Sequence, residues 1–256
     1  MSSDLDATEI AAVLGDRSVR TYPALLSAET ETMAWARAGA PTGSVVVADY
    51  QASPRGRSGL PWTVHPGRSL GFTLLTRPGL PPEREGWPYV AASLAVAEVS
   101  GDADVDWPDT VVAAGERRTL AQVGVYVELG PARTEWATVN VVVEEADPPR
   151  AALLGRLVDA LEQRLADEPE GVLAAYRSRC VTLGRQVRAR MIPMGPGGPE
   201  VNGEAVDVLA DGSLVVLTAR GNRVAVPPQN LGLLEDPQVP PELPEEVRRR
   251  LQDDGP

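Results

Sequence analysis

The chain has 256 residues, 43% of them hydrophobic, and this length suits one medium domain followed by a small one. Its formal net charge of −12 argues against binding to nucleic acid or to an anionic membrane, because both depend on a cationic surface. No run of about 18 apolar residues is present, so the sequence predicts no membrane-spanning helix.

Three reactive residue types are rare or missing. Cys180 is the only cysteine and His65 the only histidine, which excludes an internal disulfide and argues against a zinc site built from these residues. All 24 basic residues are arginine, so no step carried out by this chain can use a lysine side chain. Two explanations for the absence of lysine remain open: a compositional bias of the genome and selection against a modifiable amine. With a polar, acidic start in place of a secretory signal, these features predict a cytoplasmic protein.

Helical and strand patterns alternate through the first two thirds of the chain. Helices are predicted over 27–39, 87–99, 150–166 and 170–180, and strands over 44–50, 69–76, 104–107, 120–129 and 136–144. After Cys180, short apolar strands alternate with turns such as Asp211-Gly212 and Gly221-Asn222, as in a small β-barrel. The prediction is an α+β fold, a mixed β-sheet with helices packed on it, followed by a small barrel.

A loop rich in glycine and arginine follows the first predicted strand. Residues 52–62 read ASPRGRSGLPW, and we call this segment the arginine loop. Glycine lets a backbone approach a ligand closely, while Arg55 and Arg57 offer forked donors that suit a phosphate. Taken alone, the pattern is also typical of an ordinary surface loop.

The order of motifs around this loop resembles that of the biotin protein ligases. Gln51 precedes the loop, Trp62 closes it, a strand then runs to Arg77-Pro78, and Trp107-Pro108 follows. In that family a glycine–arginine loop ending in tryptophan covers the adenylate, and a Lys-Trp-Pro-Asn-Asp motif comes later. Segments 183–188, 203–208 and 211–214 look like the SH3-like domain that ends these ligases. The family's N-terminal DNA-binding domain has no counterpart in the sequence.

The resemblance implies a catalytic domain over 1–180, an SH3-like domain over 181–235 and an acidic, Pro-rich tail over 236–256. It implies that biotin and ATP, with Mg²⁺, give biotinyl-AMP, and that the biotin then passes to a lysine of a carrier protein. The implied partner is a biotin carboxyl carrier domain. Nucleic acid and membrane are not expected as partners, and a homodimer is left open.

Site residues follow from matching the family's motifs position by position. The resemblance implies catalytic roles for Arg57 and Asp109, and it assigns no metal ligand. The residues implied to bind biotin or ATP are Gln51, Arg55, Gly56, Arg57, Gly59, Trp62, Trp107 and Asn140.

Several positions depart from the family pattern. The motif lysine falls on Asp106, and turning an attraction for phosphate into a repulsion at about 4 Å changes the local energy by several kcal/mol. The second motif lysine falls near Ala121, with Arg118 as the nearest cation. The early Asp-Ser-Thr-Asn motif falls on 27–30, which puts Glu29 where an anionic ligand would be bound.

Further differences lie within the two motifs that are kept. The first glycine of the loop motif is Pro54, a later arginine is Leu60, and the final acid of the tryptophan motif is Thr110. Three hypotheses follow. The chain is a degenerate ligase with reduced or lost activity, an active ligase in which arginines replace the lysines, or a non-catalytic accessory subunit that binds a protein.

Overall fold

The structure is a computed structural model that describes residues 4–147, 149–194 and 197–237. These residues form two β-sheets and five α-helices. The helices are α1 Ala7–Leu14, α2 Ala28–Arg37, α3 Trp87–Ser100, α4 Arg150–Ala166 and α5 Pro169–Arg179. The strands of the first sheet are β1 Val19–Tyr22, β2 Val45–Ala48, β3 Leu70–Thr76, β4 Ala103–Asp106, β5 Thr110–Ala113, β6 Thr119–Leu129 and β7 Thr134–Val143.

The first sheet has seven strands in the order β1-β2-β3-β7-β6-β5-β4. Strands β1 and β2 run parallel, and every other neighbouring pair is antiparallel, so the sheet is mixed as predicted. Long strands β6 and β7 lie near its centre. This sheet and its helices confirm the α+β class.

The two faces of this sheet differ in chemistry because neighbouring side chains of a strand point to opposite faces. One face carries Phe72, Leu74, Val139 and Val141, which join the main apolar core together with residues of α3 and α4. The other face carries Leu75 and Trp136, which pack with Ala36 of α2. Helix α2 therefore covers the sheet from the side opposite α3 and α4, and the space beside it on that face is where the site lies.

Burial and capping explain the helices on the two faces. Eleven consecutive residues of α3, Trp87 to Ala97, are buried, in keeping with its run of alanine and valine between other elements. Helix α2 begins after Ser27, whose hydroxyl accepts the N–H of Thr30, and it has glutamates in its first turn, where the helix dipole favours negative charge.

The second sheet is antiparallel and follows α5. Its strands are β8 Gln186–Met191, β9 Glu200–Val208, β10 Leu214–Leu217, β11 Arg223–Val226 and β12 Leu231–Glu235, in the order β11-β10-β9-β8-β12. The structure thus shows the predicted run of short strands and hairpin turns. The boundary at 180/181 and the SH3-like barrel stay predictions.

The two sheets are joined closely. Apolar residues of the second sheet, such as Val187 and Leu214, belong to the same continuous core cluster as those of the first. At the junction the backbones of Gly86 and Gly212 meet, and a Cβ on Gly212 would lie 2.5 Å from the carbonyl oxygen of Gly86. Gly212 also has a φ of 85°, a conformation that favours glycine. The second sheet is therefore positioned against the start of α3.

The first helix and the first strand of the fold were not predicted from the sequence. Helix α1, capped by Asp6, and strand β1 lie before the segment in which the first helix was predicted. Asp4 is tied to the buried Arg150 at the start of α4, at 2.6 and 2.8 Å, and Asp49 binds the same guanidinium at 2.6 Å. Strand β5 was also missed. Of the predicted tail, residues 238–256 lie outside the described residues.

Among the described helices, none is both long and apolar enough to cross a bilayer.

Candidate functional site

A row of small and polar residues crosses the α2 face of the first sheet. Thr73, Asn140 and Gly124 stand side by side on β3, β7 and β6, and we call them the polar row. Asn140 is fully buried, and its Oδ1 accepts a hydrogen bond from the Thr73 hydroxyl at 3.1 Å. Small side chains here leave the sheet surface low, and the Trp62 ring lies on it at Gly124.

The arginine loop folds over this row. Asn140 Nδ2 donates to the carbonyl oxygen of Arg55 at 3.2 Å, so the polar row holds the loop in place. The Arg55 side chain is exposed and donates to the carbonyl of Gly59 at 3.3 Å. Gly59 has a φ of 73°, in the region that favours glycine. The loop thus closes on itself above the sheet.

Trp62 lies flat against two glycines. A Cβ on Gly56 would lie 2.5 Å from the indole, and one on Gly124 would lie 3.1 Å from it. Neither glycine can be replaced without moving the ring. The tryptophan that closes the loop is therefore packed between the loop and the polar row.

Gln51 holds the start of α2. Its Oε1 accepts the backbone N–H of Ala28 at 2.8 Å, and the side chain is buried at 2% exposure. Because a backbone N–H can only donate, Oε1 is the atom that faces it, and the amide nitrogen points away from Ala28. Nε2 there has no hydrogen-bond partner among the described residues. It lies against Gly71, where a Cβ would come within 2.5 Å of it. An unsatisfied buried donor of this kind is costly unless a ligand accepts from it.

Arg57 connects the arginine loop to both sheets. Its Nε donates to Asp109 Oδ2 at 2.9 Å, and Nη1 donates to the carbonyl oxygens of Leu231, in a short contact, and of Gly232 at 3.2 Å. The Ser58 hydroxyl also donates to Leu231 at 2.9 Å. The loop therefore caps the edge of β12, and the Arg57 guanidinium is buried in the junction.

Asp109 is the carboxylate that neutralises Arg57. Burial raises the pKa of Asp109, while the charge and hydrogen bond of Arg57 act to lower it. Asp109 is the last residue of a turn at 107–109, and its backbone carbonyl accepts the N–H of Val123 on β6. The two residues implied as catalytic thus form one buried ion pair.

Asp106 faces the second sheet. Its Oδ1 accepts from the Thr182 hydroxyl at 2.6 Å and from Arg185 at 3.2 Å. Asp106 and Arg185, together with Arg57 and Asp109, line a cavity of about 190 Å³. Asp106 therefore puts a negative charge where the family has a lysine, but the guanidinium of Arg185 neutralises that charge in the folded chain.

Trp107 packs between the sheets. It is 3% exposed, its backbone N–H donates to Thr182, and its indole N–H donates to the carbonyl of Gly212 at 3.0 Å. With every donor used internally, the indole holds the second sheet in position. Trp107 also lines the cavity between the sheets, and the ligand contact that the family pattern implies for it stays a prediction.

The structure brings most predicted site residues together on one face of the sheet. Gln51, the polar row and the loop with Arg55 and Trp62 lie on the α2 side of the sheet, whereas Arg57, Asp109 and Trp107 lie at the junction with the second sheet. Arg118 pairs with Glu116 on an exposed turn. Sequence reasoning missed Ser58 and Arg185, and no local signal marks either.

The described residues contain no group of three or more His, Cys, Asp or Glu side chains that could hold a metal ion. Cys180 is buried, which raises the pKa of its thiol to about 11, and His65 is exposed. Both placements agree with the sequence analysis, which gave neither residue a chemical role.

The sequence is similar to one curated ligase over most of its length. It is 30% identical over 230 residues to the biotin–[acetyl-CoA-carboxylase] ligase of Mycobacterium tuberculosis, covering 78% of this chain and 83% of that protein. No protein-family model matches the chain.

Solved structures share the fold at low sequence identity. The biotin protein ligase of Aquifex aeolicus in complex with biotin and ATP superimposes with a TM-score of 0.65 at 18% identity, over 86% of this chain and 99% of that one. A biotin protein ligase-like protein of unknown function from Silicibacter gives 0.62 at 11% identity, over 83% and 95% of the two chains.

Proposed function

The chain belongs to the biotin protein ligase family, and from this premise we propose that it binds biotin but forms biotinyl-AMP slowly or not at all. The family's reaction joins the biotin carboxylate to the α-phosphate of ATP, releases pyrophosphate and then passes biotin to a carrier lysine. Binding of biotin and handling of the triphosphate are separate tasks, and the two parts of this site differ in how well they support them.

One observation carries the proposal. The Arg57 guanidinium is held by Asp109 and by the carbonyls of Leu231 and Gly232. These hydrogen bonds use Nε and Nη1, so from this position only Nη2 could donate to a phosphate. To turn its full fork onto a phosphate, Arg57 would have to give up these acceptors and leave the buried Asp109 carboxylate without its partner. Leaving one charge of a buried pair uncompensated costs about 3 to 5 kcal/mol. That cost opposes adenylate formation.

The neighbouring charges do not offset this cost of moving Arg57 onto a phosphate. Asp106, at the position of the family's motif lysine, is paired with Arg185, so these two groups together bring no net positive charge. The cavity between the sheets is lined by two guanidinium groups, of Arg57 and Arg185, and by three carboxylates, of Asp106, Asp109 and Glu235. A triphosphate is best stabilised by fixed positive groups and metal ions, and a lining with more carboxylates than guanidinium groups attracts it weakly.

The part of the site that would bind biotin is better kept. Gln51 offers an unused buried donor, and the polar row provides a low surface under the loop. These features support binding of an uncharged ring that carries a hydrogen-bond acceptor. We also propose that the second sheet is the SH3-like domain of the family, beginning near residue 181.

One observation favours an active ligase instead. Arg55 is exposed, with a single internal acceptor at Gly59, and is free to turn towards a phosphate. In that case Mg²⁺ would enter with the ATP phosphates, and a biotin carboxyl carrier domain would receive the biotin. Asp109 would then share its carboxylate between the metal and Arg57, which contacts only Oδ2.

The test measures binding and turnover in the same preparation. Calorimetry with biotin reports the first part, and pyrophosphate release with biotin, ATP, Mg²⁺ and a carrier domain reports the second. We expect biotin to bind while pyrophosphate release stays at the level seen without biotin. Robust release and carrier labelling that are lost on Arg57→Ala would establish the active alternative, and absence of any biotin binding would refute the proposal.

A further inference from the structure

A further cavity lies where β3 ends and where β6 turns back into β7. It has a volume of about 640 Å³, and its lining comes from the segment 77–79 after β3 and from the hairpin residues 130–135. The backbone N–H of Thr134 donates to the carbonyl oxygen of Leu80 at 2.8 Å, which holds the two segments together. Asn140 of the polar row lies six residues along β7 from Thr134, which is roughly 20 Å in a strand. The cavity is therefore separate from the site beside Gln51.

Two guanidinium groups line this cavity without a carboxylate partner. Arg77 and Arg133 belong to its two opposite segments and are exposed, and neither side chain forms an ion pair or hydrogen bond within the part of the chain that the structure describes. Among the described lining residues, Glu135 is the one carboxylate. It is exposed and lies over the hairpin turn, where a Cβ on Gly130 would be 2.9 Å from its Cγ. In a chain with a net charge of −12, this lining is a local excess of positive charge.

Thr134 adds a buried hydroxyl to the same lining. Its side chain is 1% exposed, and its Oγ1 has no hydrogen-bond partner among the described residues. A buried hydroxyl in this state is costly unless a molecule outside the chain completes the bond. The register of β6 and β7 shifts beside it, so that Glu135 stands opposite no residue of β6. A β-bulge of this kind re-aims the neighbouring side chains.

The backbone of both segments supplies further donors. Gly79 and Ala132 line the cavity, and their N–H groups donate to no oxygen of the described residues. Gly79 has a φ of 60°, in the region that favours glycine, so the turn after β3 depends on it. Charged forks, a hydroxyl and free backbone N–H groups around one space are the donor set that an oxyanion requires.

We propose that this cavity binds a phosphate group, with Arg77 and Arg133 as the charged donors and the Thr134 hydroxyl as a third donor. Phosphate suits this set because its several acceptor oxygens match two guanidinium forks. The phosphate is either free inorganic phosphate or the phosphate monoester of a small molecule, since the cavity has room for more than the phosphate itself. This inference goes beyond the proposed function, which gives these three residues no part in handling biotin or ATP.

Calorimetry on the full chain, with inorganic phosphate and with phenyl phosphate at matched ionic strength, tests the site. Arg77→Gln and Arg133→Gln should each weaken phosphate binding by about tenfold or more, because each removes a charge-assisted contact. Thr134→Val replaces the hydroxyl by a methyl group of similar shape and should also weaken binding. Without phosphate, its Tm should be no lower than that of the unaltered chain, because the hydroxyl has no partner to lose.

Two variants elsewhere control for charge and for location. Arg223→Gln removes the same charge from an exposed arginine of β11 that forms no ion pair with a described residue, and it should bind phosphate as the unaltered chain does. Arg55→Gln removes an exposed guanidinium of the arginine loop. Binding that is lost in Arg55→Gln but kept in Arg77→Gln would place the phosphate on the arginine loop and overturn the inference.

The remaining outcomes separate the two sources of phosphate and the failure of the proposal. Saturable binding that weakens in all three cavity variants and persists in Arg223→Gln would establish the site. Tighter binding of phenyl phosphate than of inorganic phosphate would then identify a monoester as the ligand, and the reverse order would identify free phosphate. No saturable binding of either probe, or unchanged affinity in any one of the three cavity variants, would overturn the inference. Binding of a phosphopeptide when both small probes fail would overturn it as well.

Discussion

Glu29→Gln should stabilise the protein at alkaline pH, and this prediction follows from the partial burial of a carboxyl group that has no partner. The ordinary pKa of glutamate is 4.5, and in the folded chain that of Glu29 is raised to about 7 by burial. Between these values the folded state keeps a proton that the unfolded state has released. Folding therefore becomes less favourable as pH rises through this window.

The size of the effect follows from the same two values. One pH unit of difference between the folded and unfolded pKa corresponds to about 1.4 kcal/mol, which sets an upper limit of about 3 kcal/mol above pH 7. Because Glu29 keeps some contact with solvent, we expect roughly half of this. Near pH 4 the carboxyl is protonated in both states, and the substitution should change the free energy of unfolding little.

Urea unfolding followed by circular dichroism at a series of pH values measures this directly. Glu31→Gln is the internal contrast, because hydrogen bonds from Tyr22 and Arg20 lower the pKa of Glu31. Its loss should destabilise the protein at neutral pH and matter less as pH falls, which is the opposite trend. A Glu29→Gln protein with the same stability profile as the unaltered chain would refute the reasoning, and so would one that is less stable at pH 8.

Three other substitutions test contacts elsewhere. Asp109→Ala leaves the buried Arg57 without its carboxylate and should lower the free energy of unfolding by about 3 kcal/mol. The double variant with Arg57→Met should recover part of this loss, and a double variant no more stable than Asp109→Ala would contradict the prediction. Arg150→Met should lower the free energy of unfolding by about 3 kcal/mol at neutral pH and by less in acid, because hydrogen bonds from Arg150 hold the pKa of Asp4 below its ordinary value. An equal loss of stability at neutral and at acid pH would contradict this prediction. Gly71→Ala places a Cβ against the Gln51 amide and should weaken biotin binding at least about tenfold by calorimetry, so unchanged affinity would place the ligand elsewhere.

The regular elements were largely predictable from the sequence because their apolar spacing is local. The run of Val139, Val141 and Val143 predicts a strand, and β7 contains all three. Helix α4 was predicted over 150–166, and its bounds agree. Helix α1 was not predicted because the start of the chain is polar and acidic, and the only buried side chains of this eight-residue helix are Ile10 and Leu14.

The site was only partly predictable because its decisive contacts join distant parts of the chain. Sequence order shows that Arg57 lies in a loop with ligand-binding character, but not that its guanidinium reaches a carbonyl 174 positions away. In the same way, Asp106 reads as an unpaired acid until the chain brings Arg185 beside it. The motif predicts that Gln51 lies near the ligand, while the unused donor on its amide depends on how α2 begins.

A crystal structure of the protein grown with biotin, ATP and Mg²⁺ tests the separation of ligand binding from phosphate handling most directly. We predict intact biotin beside Gln51, with the Arg57 side chain still on the carbonyls of the β12 edge. Density for biotinyl-AMP, with Arg57 turned away from Leu231 and onto the phosphate, would contradict the account.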